Sequence, residues 1–286
     1  MKVYLEFTGC RLNQSEIETL ARQFGQAGHQ VVGSPSEADL CVVNTCAVTN
    51  EAARSSRTMI RRLNRSNAGA QIVATGCYAE LSPQAVGSLP GVKMVVGNAE
   101  KDRLVPIVLQ DDALAEVYDR EPLERELLPG ALGRTRAFVK AQDGCDNRCT
   151  FCVTTIARGK GRSRALADVV REVQRLVEAG YQEVVLTGVH LGSYGHDLGV
   201  RDGLAHLVRA LLSETDVPRL RLSSLEPWDL SVEFFELWEN PRLCRHLHLP
   251  LQSGCDATLK RMARRTTQAK FRTLVEAARA RIADLA

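Results

Sequence analysis

Short apolar segments alternate with amphipathic helical segments along most of this chain, and this alternation constrains the fold more than any other feature. In the N-terminal part, strands are predicted at 3–7, 40–43, 72–74 and 94–96. Helical periodicity lies between them, at 14–27 and 51–64. Strands that alternate with helices are typical of parallel sheets, so we predict an α/β fold that begins with a parallel-sheet domain.

The same alternation resumes near Arg136 and continues to the last residue, Ala286. Strands are predicted at 136–141, 183–186, 219–222 and 247–249, and helices at 168–179, 204–212, 258–262 and 270–282. Repeated strand–loop–helix units indicate a (β/α) barrel, of which these strands make only a part. We therefore predict an N-terminal α/β domain at 1–110, a linker at 111–134 and a partial barrel at 135–286. The proposed linker is acidic and contains prolines.

Nine cysteines are many for a chain of 286 residues, and their number is odd. The N-terminus lacks the plan of a secretory signal, so a disulfide framework is not expected, and metal ligation or catalysis is the better interpretation. No apolar run approaches the roughly 20 residues that a membrane span needs. We therefore expect a cytoplasmic protein without a membrane partner.

Three of the cysteines, Cys145, Cys149 and Cys152, form a CxxxCxxC motif. The motif follows the strand predicted at 136–141, so it lies on a strand-to-helix loop, at the catalytic face of a barrel. Three close thiolates suit a 4Fe-4S cluster and leave one iron open. A structural zinc site takes four ligands, and no fourth Cys or His follows at the usual spacing. The motif therefore predicts a 4Fe-4S cluster.

A second set of cysteines, Cys10, Cys46 and Cys77, follows three of the N-terminal strands. Because the carboxyl ends of parallel strands lie at one edge of the sheet, these thiols can converge in space. Spacing alone leaves two interpretations open, a second cluster or three buried thiols. Cys41 lies inside a predicted strand, and we expect it in the core.

The motifs around both sets resemble those of the radical S-adenosylmethionine (SAM) superfamily and, within it, of the methylthiotransferase family. The resemblance covers nearly the whole chain. The similar stretches are TGCRLNQSE at 8–16, NTCAVT at 44–49, TGCYAE at 75–80, GCDNRCTFC at 144–152, RGKGRSR at 158–164, LTGV at 186–189, LSSLEP at 222–227 and LPLQSG at 249–254.

This resemblance implies two 4Fe-4S clusters, one on each set of cysteines, and SAM bound at the open iron of the CxxxCxxC cluster. Phe151 matches the aromatic residue that family members place near the adenine of SAM. Strand ends in the second domain are our candidates for holding SAM: Thr187, Gly188, Ser224, Glu226 and Gln252.

The resemblance further implies transfer of a methylthio group to the 2-position of N6-threonylcarbamoyladenosine, next to the anticodon of a tRNA. The residues after Cys46, together with Tyr78, are similar to that branch of the family. The alternatives are isopentenyladenosine in tRNA, an aspartate of a ribosomal protein, and a non-catalytic iron–sulfur or RNA-binding fragment.

An electron donor such as flavodoxin or ferredoxin is implied by the same resemblance, and the sulfur source is left open. Family members usually continue with further barrel strands and a small RNA-binding β-domain. We therefore expect the C-terminal part of the barrel and that β-domain to be absent from these 286 residues.

Two basic stretches are candidate tRNA contacts. Arg158, Lys160, Arg162 and Arg164 alternate with small residues after the CxxxCxxC motif, where they can contact phosphates or neutralise acidic groups near SAM. Arg54 starts a basic helix. It either pairs with the carboxylate of a threonylcarbamoyl group or belongs to a solvated face.

Overall fold

The computed structural model of this chain describes residues 1–111 and 136–286. Nearly all of the linker predicted at 111–134 lies outside the described residues. The contacts divide the chain into two compact units. The first unit comprises Met1–Arg134 with Ile156–Arg158, and the second comprises Thr135–Thr155 with Gly159–Ala286.

The first unit is built on a five-stranded parallel sheet with the strand order β2-β1-β3-β4-β5. Its strands are β1 Lys2–Phe7, β2 Gln30–Val31, β3 Leu40–Thr45, β4 Gln71–Gly76 and β5 Val92–Val95. The order reverses at β1, because β2 lies on one side of it and β3 on the other. Loops that leave the sheet at such a reversal diverge and open a crevice at the carboxyl ends of the strands.

Helices cover both faces of this sheet. They are α1 Arg11–Gln26, α2 Asn50–Ser66, α3 Cys77–Leu81, α4 Pro83–Gly87 and α5 Leu104–Leu109. Successive residues of β3 point to opposite faces, so Val42 packs with α1 and α5, and Val43 packs with α2 and α4. Cys41 is 1% exposed in the second of these cores, as predicted. The prediction of an N-terminal parallel α/β unit is confirmed.

The second unit contains a three-stranded parallel sheet with the order β10-β9-β6. Its strands are β6 Arg136–Lys140, β9 Glu183–Thr187 and β10 Leu220–Leu222, and an antiparallel ribbon joins β7 Gln142–Asp143 to β8 Arg162–Ser163. The helices that follow α5 among the described residues are α6 Thr154–Arg158, α7 Leu166–Glu178, α8 Gly203–Glu214, α9 Asp256–Arg261 and α10 Gln268–Arg281. Their alternation with parallel strands confirms a partial (β/α) barrel.

The strand predicted at 247–249 is wrong. A parallel bridge instead pairs Leu243 with Leu220. The backbone groups of the predicted strand are used elsewhere, because Leu247 N–H donates to the Ala286 carbonyl and the His248 carbonyl accepts from Leu225. Among the described residues, no helix is both long and apolar enough to cross a membrane.

Candidate metal centres

The cysteines of the first unit lie at the carboxyl ends of three neighbouring parallel strands. Cys46 follows β3 directly, and Cys77 follows β4 directly as the first residue of α3. Cys10 comes after β1, where it is the N-cap residue of α1. Cys10 and Cys46 therefore border the crevice at which the strand order reverses.

Two glycines allow the cysteine loops to approach one another closely. Gly9 has φ of +91°, and a Cβ atom at this position would lie 2.5 Å from Cys46 Sγ. Gly76 has φ of +95°, and a Cβ atom there would lie 2.3 Å from the Thr45 carbonyl oxygen. Residues other than glycine are strained at such φ values, and a side chain at either position would also collide with the neighbouring loop. Both the backbone conformation and the lack of space therefore require glycine at these two positions.

Hydrogen bonds hold the three loops together. The Asn13 side-chain amide, which is fully buried, donates to the Thr8 carbonyl at 2.8 Å and to the Thr45 carbonyl at 3.3 Å. Thr45 Oγ1 donates to the Thr75 carbonyl at 2.5 Å and accepts from Ala79 N–H at 3.1 Å. These bonds connect the loops that follow β1, β3 and β4, which carry the three cysteines.

The thiols lie near enough to influence one another electrostatically. Burial raises the pKa of Cys46, and negative charge on Cys10 or Cys77 raises it further. A hydrogen bond from the backbone at Val48 and the charge of Arg158 act in the opposite direction. Close thiolates repel one another, so a bound cation would stabilise the charged form of all three.

Arg158 contributes to a buried ionic cluster beside these thiols. Its side chain is 2% exposed, and it donates to Glu16 Oε1 at 2.8 Å and to Asn13 Oδ1 at 2.7 Å. Lys101 Nζ binds the same Glu16 carboxylate at 2.9 Å. Of the two roles that the sequence left open for Arg158, this geometry favours neutralisation of an acidic group, because the guanidinium is buried against a carboxylate.

The CxxxCxxC motif of the second unit lies on the loop after β7, near the carboxyl end of β6. Backbone N–H groups point at two of its sulfurs, from Asn147 to Cys145 Sγ and from Thr154 to Cys152 Sγ, each at 3.4 Å. Gly144 closes the turn with φ of +69°, where a Cβ atom would meet the Lys160 carbonyl. Hydrogen bonds to thiolate sulfurs favour the charged ligand form.

Arg264 also donates a hydrogen bond to a sulfur of this motif. Its Nη1 lies 3.7 Å from Cys149 Sγ, and its two Nη atoms bind the Glu226 carboxylate at 3.1 and 2.5 Å. Burial raises the pKa of Cys149, and Arg264 acts to lower it. Glu226, predicted to hold SAM, is paired with Arg264 in this structure.

His190 lies between the first cysteine of the motif and an aspartate. His190 Nε2 lies 2.6 Å from Asp229 Oδ2, and Asn147 Nδ2 lies 3.3 Å from His190 Nδ1. Burial lowers the pKa of His190, but hydrogen bonds to Asp229 and Cys145 outweigh this and raise it to about 10. No motif spacing in the sequence singled out Asp229.

The SAM candidates of the second unit differ in their surroundings. Phe151 is 47% exposed, which leaves its ring free to stack on a ligand. Ser224 Oγ is hydrogen bonded to His248 Nδ1 at 2.8 Å. Gly188 lies against Gln142, and Gln252 is exposed with φ of +74°.

Several buried polar atoms of the second unit have no hydrogen-bond partner within the described ranges. They are Thr187 Oγ1, Ser223 Oγ, Trp228 Nε1, His246 Nδ1 and Arg264 Nε. Thr187 ends β9 and Ser223 follows β10, so two of these atoms are at the carboxyl edge of the sheet. Buried polar atoms without partners are rare in folded proteins, and a polar ligand such as SAM would satisfy them.

The other candidate tRNA contacts divide into exposed and engaged cations. Arg54, Lys160 and Arg162 are exposed. Arg164 donates to the Lys140 carbonyl at 2.7 Å and to Glu172 at 2.8 Å. Of the two roles left open for Arg164, this pairing favours neutralisation of an acidic group.

Both thiol sets consist of the ligand type that iron–sulfur clusters use. In residues 1–111 and 136–286, no three Cys, His, Asp or Glu side chains lie close enough to share one metal ion.

Comparison with known proteins agrees with this arrangement. Residues 2–97 match the Uncharacterized protein family UPF0004, and residues 139–284 match the radical SAM superfamily. The threonylcarbamoyladenosine tRNA methylthiotransferase MtaB of Bacillus subtilis is 38% identical over 92% of this chain and 60% of its own length. The protein of the same name from Aquifex aeolicus is 38% identical over 96% of this chain and 68% of its own length.

The chain thus spans about 60% of the length of the first curated relatives. A structure of the radical SAM methyltransferase TsrM from Kitasatospora setae, with cobalamin and a 4Fe-4S cluster bound, aligns with a TM-score of 0.66. It is 18% identical, covers 98% of this chain and 67% of that one, and shows that the fold is shared. Together, the two family matches and the curated relatives show that the chain belongs to the radical SAM superfamily and, within it, to the methylthiotransferases.

Proposed function

We propose that the two units form the catalytic part of an enzyme that transfers a methylthio group to a modified adenosine of tRNA. The observation that carries this proposal is the convergence of Cys10, Cys46 and Cys77 at one sheet edge, in addition to the CxxxCxxC motif of the second unit. One cluster suffices to cleave SAM. A second thiol set, with its own supporting hydrogen bonds, supports a reaction that also inserts sulfur.

Each set of three cysteines would hold a 4Fe-4S cluster, and SAM would bind at the set formed by Cys145, Cys149 and Cys152. When bound, these groups supply the radical chemistry and the sulfur that protein side chains cannot provide. The domain bounds 1–110 and 135–286, with a linker at 111–134, belong to the same proposal.

The residues of the chain position and shield these groups. The N–H groups of Asn147 and Thr154 and the guanidinium of Arg264 stabilise negative charge on the three sulfurs of the second unit. The His190–Asp229 pair lies beside the first of these cysteines. Phe151 offers an exposed ring to adenine, and the hydroxyl of Thr187 offers an unused hydrogen-bonding group.

The proposed substrate is N6-threonylcarbamoyladenosine beside the anticodon, with modification at the 2-position. Arg54 is exposed on the first turns of α2, whose N-terminus follows the loop of Cys46. Thr49 caps this helix by accepting from Ala52 N–H at 3.0 Å, which fixes the start of the helix beside the thiols. A carboxylate on the substrate needs a nearby cation, and an isopentenyl group does not.

We further propose that a low-potential donor of the flavodoxin or ferredoxin type reduces the protein. We also propose that the protein works in the cytoplasm. The names of the curated relatives support the tRNA substrate. The sulfur source is open.

Mass spectrometry of tRNA nucleosides tests this function. The chain, alone and extended by the C-terminal part of the Aquifex aeolicus relative, is reconstituted anaerobically with iron, sulfide and SAM. We expect methylthiolation of tRNA that carries threonylcarbamoyladenosine, and none of tRNA that carries isopentenyladenosine. Modification of the isopentenyl form alone contradicts the substrate, and modification of neither form by the extended chain contradicts the proposed reaction.

A pair of arginine variants tests the role of Arg54. Arg54→Gln should reduce modification of the threonylcarbamoyl substrate. Arg61→Gln is the matched control, because Arg61 is exposed on the same helix two turns later. Equal losses in both variants would indicate general attraction of RNA by a basic helix.

A further inference from the structure

Arg264 lies in the turn between α9 and α10, and its side chain is almost completely buried. The side chain is 1% exposed. It binds the Glu226 carboxylate through both Nη atoms, at 3.1 and 2.5 Å, and donates to the Pro250 carbonyl at 2.7 Å. The Trp228 ring lies under it, with the guanidinium carbon 4.5 Å from the ring centre.

The guanidinium of Arg264 also faces the CxxxCxxC motif. Arg264 Nη1 lies 3.7 Å from Cys149 Sγ, which is within hydrogen-bonding distance for sulfur. The carboxylate, the carbonyl and the ring hold the guanidinium in one orientation. It therefore loses little conformational entropy when it donates to the sulfur, as a rigid planar donor should.

A fixed positive donor at a cluster thiolate has a defined electrostatic effect. One-electron reduction adds one negative charge to a cluster and its thiolates, and no bond in the protein forms or breaks. A hydrogen bond from a cation stabilises this added charge, and hydrogen bonds to the sulfurs are among the factors that set cluster potentials. The negative charge of Glu226 offsets part of the positive charge of Arg264. The guanidinium, however, is the group that contacts the Cys149 sulfur.

We propose that Arg264 is a positioning residue that raises the reduction potential of the cluster at Cys145, Cys149 and Cys152 through its hydrogen bond to Cys149. Glu226, Trp228 and Pro250 hold the guanidinium in place. The proposal rests on the proposed function only in requiring that this motif binds a cluster. The reductant is a low-potential one-electron donor, for which dithionite stands in.

The test is a potentiometric titration followed by electron paramagnetic resonance. It is performed on the unaltered chain and on a variant in which Cys10, Cys46 and Cys77 are changed to Ala. In that variant only the cluster of the CxxxCxxC motif gives a signal, and the Arg264 substitutions are compared in it. Arg264→Met removes the charge and keeps a long side chain. We expect its equilibrium constant for reduction to fall at least tenfold, which is about 59 mV for a one-electron couple.

Two further variants separate this effect from general loosening of the unit. Arg264→Lys keeps the positive charge but lacks the planar guanidinium that Glu226 and Pro250 hold in place. The reduction potential of its cluster should therefore fall between those of the parent and of Arg264→Met. Arg242→Met is the matched control. Arg242 also donates to backbone carbonyls of the second unit, those of Thr215 and Val217. The cluster of the Arg242→Met variant should have the same reduction potential as that of the parent.

Iron analysis of each sample separates the possible failures. A fully loaded Arg264→Met protein whose potential stays within twofold of the parent overturns the role of Arg264 and leaves the proposed function intact. If Arg264→Met loses its iron, the Lys variant decides: a fully loaded Lys variant with an unchanged potential overturns the proposal. A parent chain that binds no iron at this motif contradicts both the cluster and the role of Arg264.

Discussion

The buried ionic cluster of Glu16, Lys101 and Arg158 yields the sharpest stability prediction. All three side chains are 4% exposed or less, and the carboxylate is shared by both cations at 2.8 and 2.9 Å. Glu16→Gln keeps the shape of the side chain and removes the shared anion. Removing one partner of a buried ion pair typically costs about 3–5 kcal/mol, because charge is left in a poorly solvated environment.

An exposed pair in the same unit provides the control. Arg62 binds Glu6 at 2.5 Å, but the Arg62 side chain is 53% exposed. Arg62→Gln should therefore cost only about 0–1 kcal/mol. The two variants remove one charge each from the same unit, so the difference in their effects measures burial.

Hydrogen exchange read by mass spectrometry is the suitable assay, because both tryptophans, Trp228 and Trp238, belong to the second unit. Amides of β3 in the centre of the first sheet report its opening free energy. A loss of 3–5 kcal/mol lowers their protection by roughly 150-fold to 4,000-fold, at 1.4 kcal/mol per factor of ten. If Glu16→Gln lowers protection no more than Arg62→Gln does, the energetic role of the buried cluster is refuted.

Three further predictions concern single residues. Gly9→Ala should destabilise the first unit by about 1–3 kcal/mol and reduce its iron loading, because φ is positive and the new methyl group meets Cys46; thermal unfolding and iron content measure this. Cys41→Ala should leave the iron content unchanged, because Cys41 is a core residue, and a loss of half the iron would refute that role. Burial acts to raise the pKa of Glu183, but Arg221 and Arg136 outweigh it and hold the pKa below its ordinary value. The second unit should therefore lose stability below about pH 4.3, and Glu183→Gln should flatten that loss in tryptophan fluorescence; an unchanged acid profile would contradict it.

The sequence was sufficient to predict the alternation of strands and helices and the strand ends that carry the cysteines, because period-2 and period-3.6 patterns are local signals. It was not sufficient to predict α1 from Arg11, because Cys10 occupies the N-cap position without a side-chain cap hydrogen bond. It also did not reveal the ion pair of Arg158 with Glu16, which is 142 positions away. The contact between Arg264 and Cys149 spans 115 positions. Such contacts arise only when the fold is complete, and no local pattern encodes them.

The extended segment at 247–249 shows a second limit of local patterns. Its residues have strand character, and Leu247 and Leu249 pack against the core of the second unit. Their backbone groups nevertheless pair with Leu225 and Ala286 instead of a neighbouring strand. Apolar patterning predicts burial well, but it does not predict which backbone partner a short segment finds.

The central claim is that each unit holds its own four-iron cluster, and iron and sulfide analysis after anaerobic reconstitution tests it most directly. The unaltered chain should contain about eight irons and eight sulfides, four of each per cluster. Replacing either set of three cysteines by Ala should leave about four of each, whether the set is Cys10, Cys46 and Cys77 or Cys145, Cys149 and Cys152. Four irons in the unaltered chain, or zinc in place of iron in either variant, would contradict the claim.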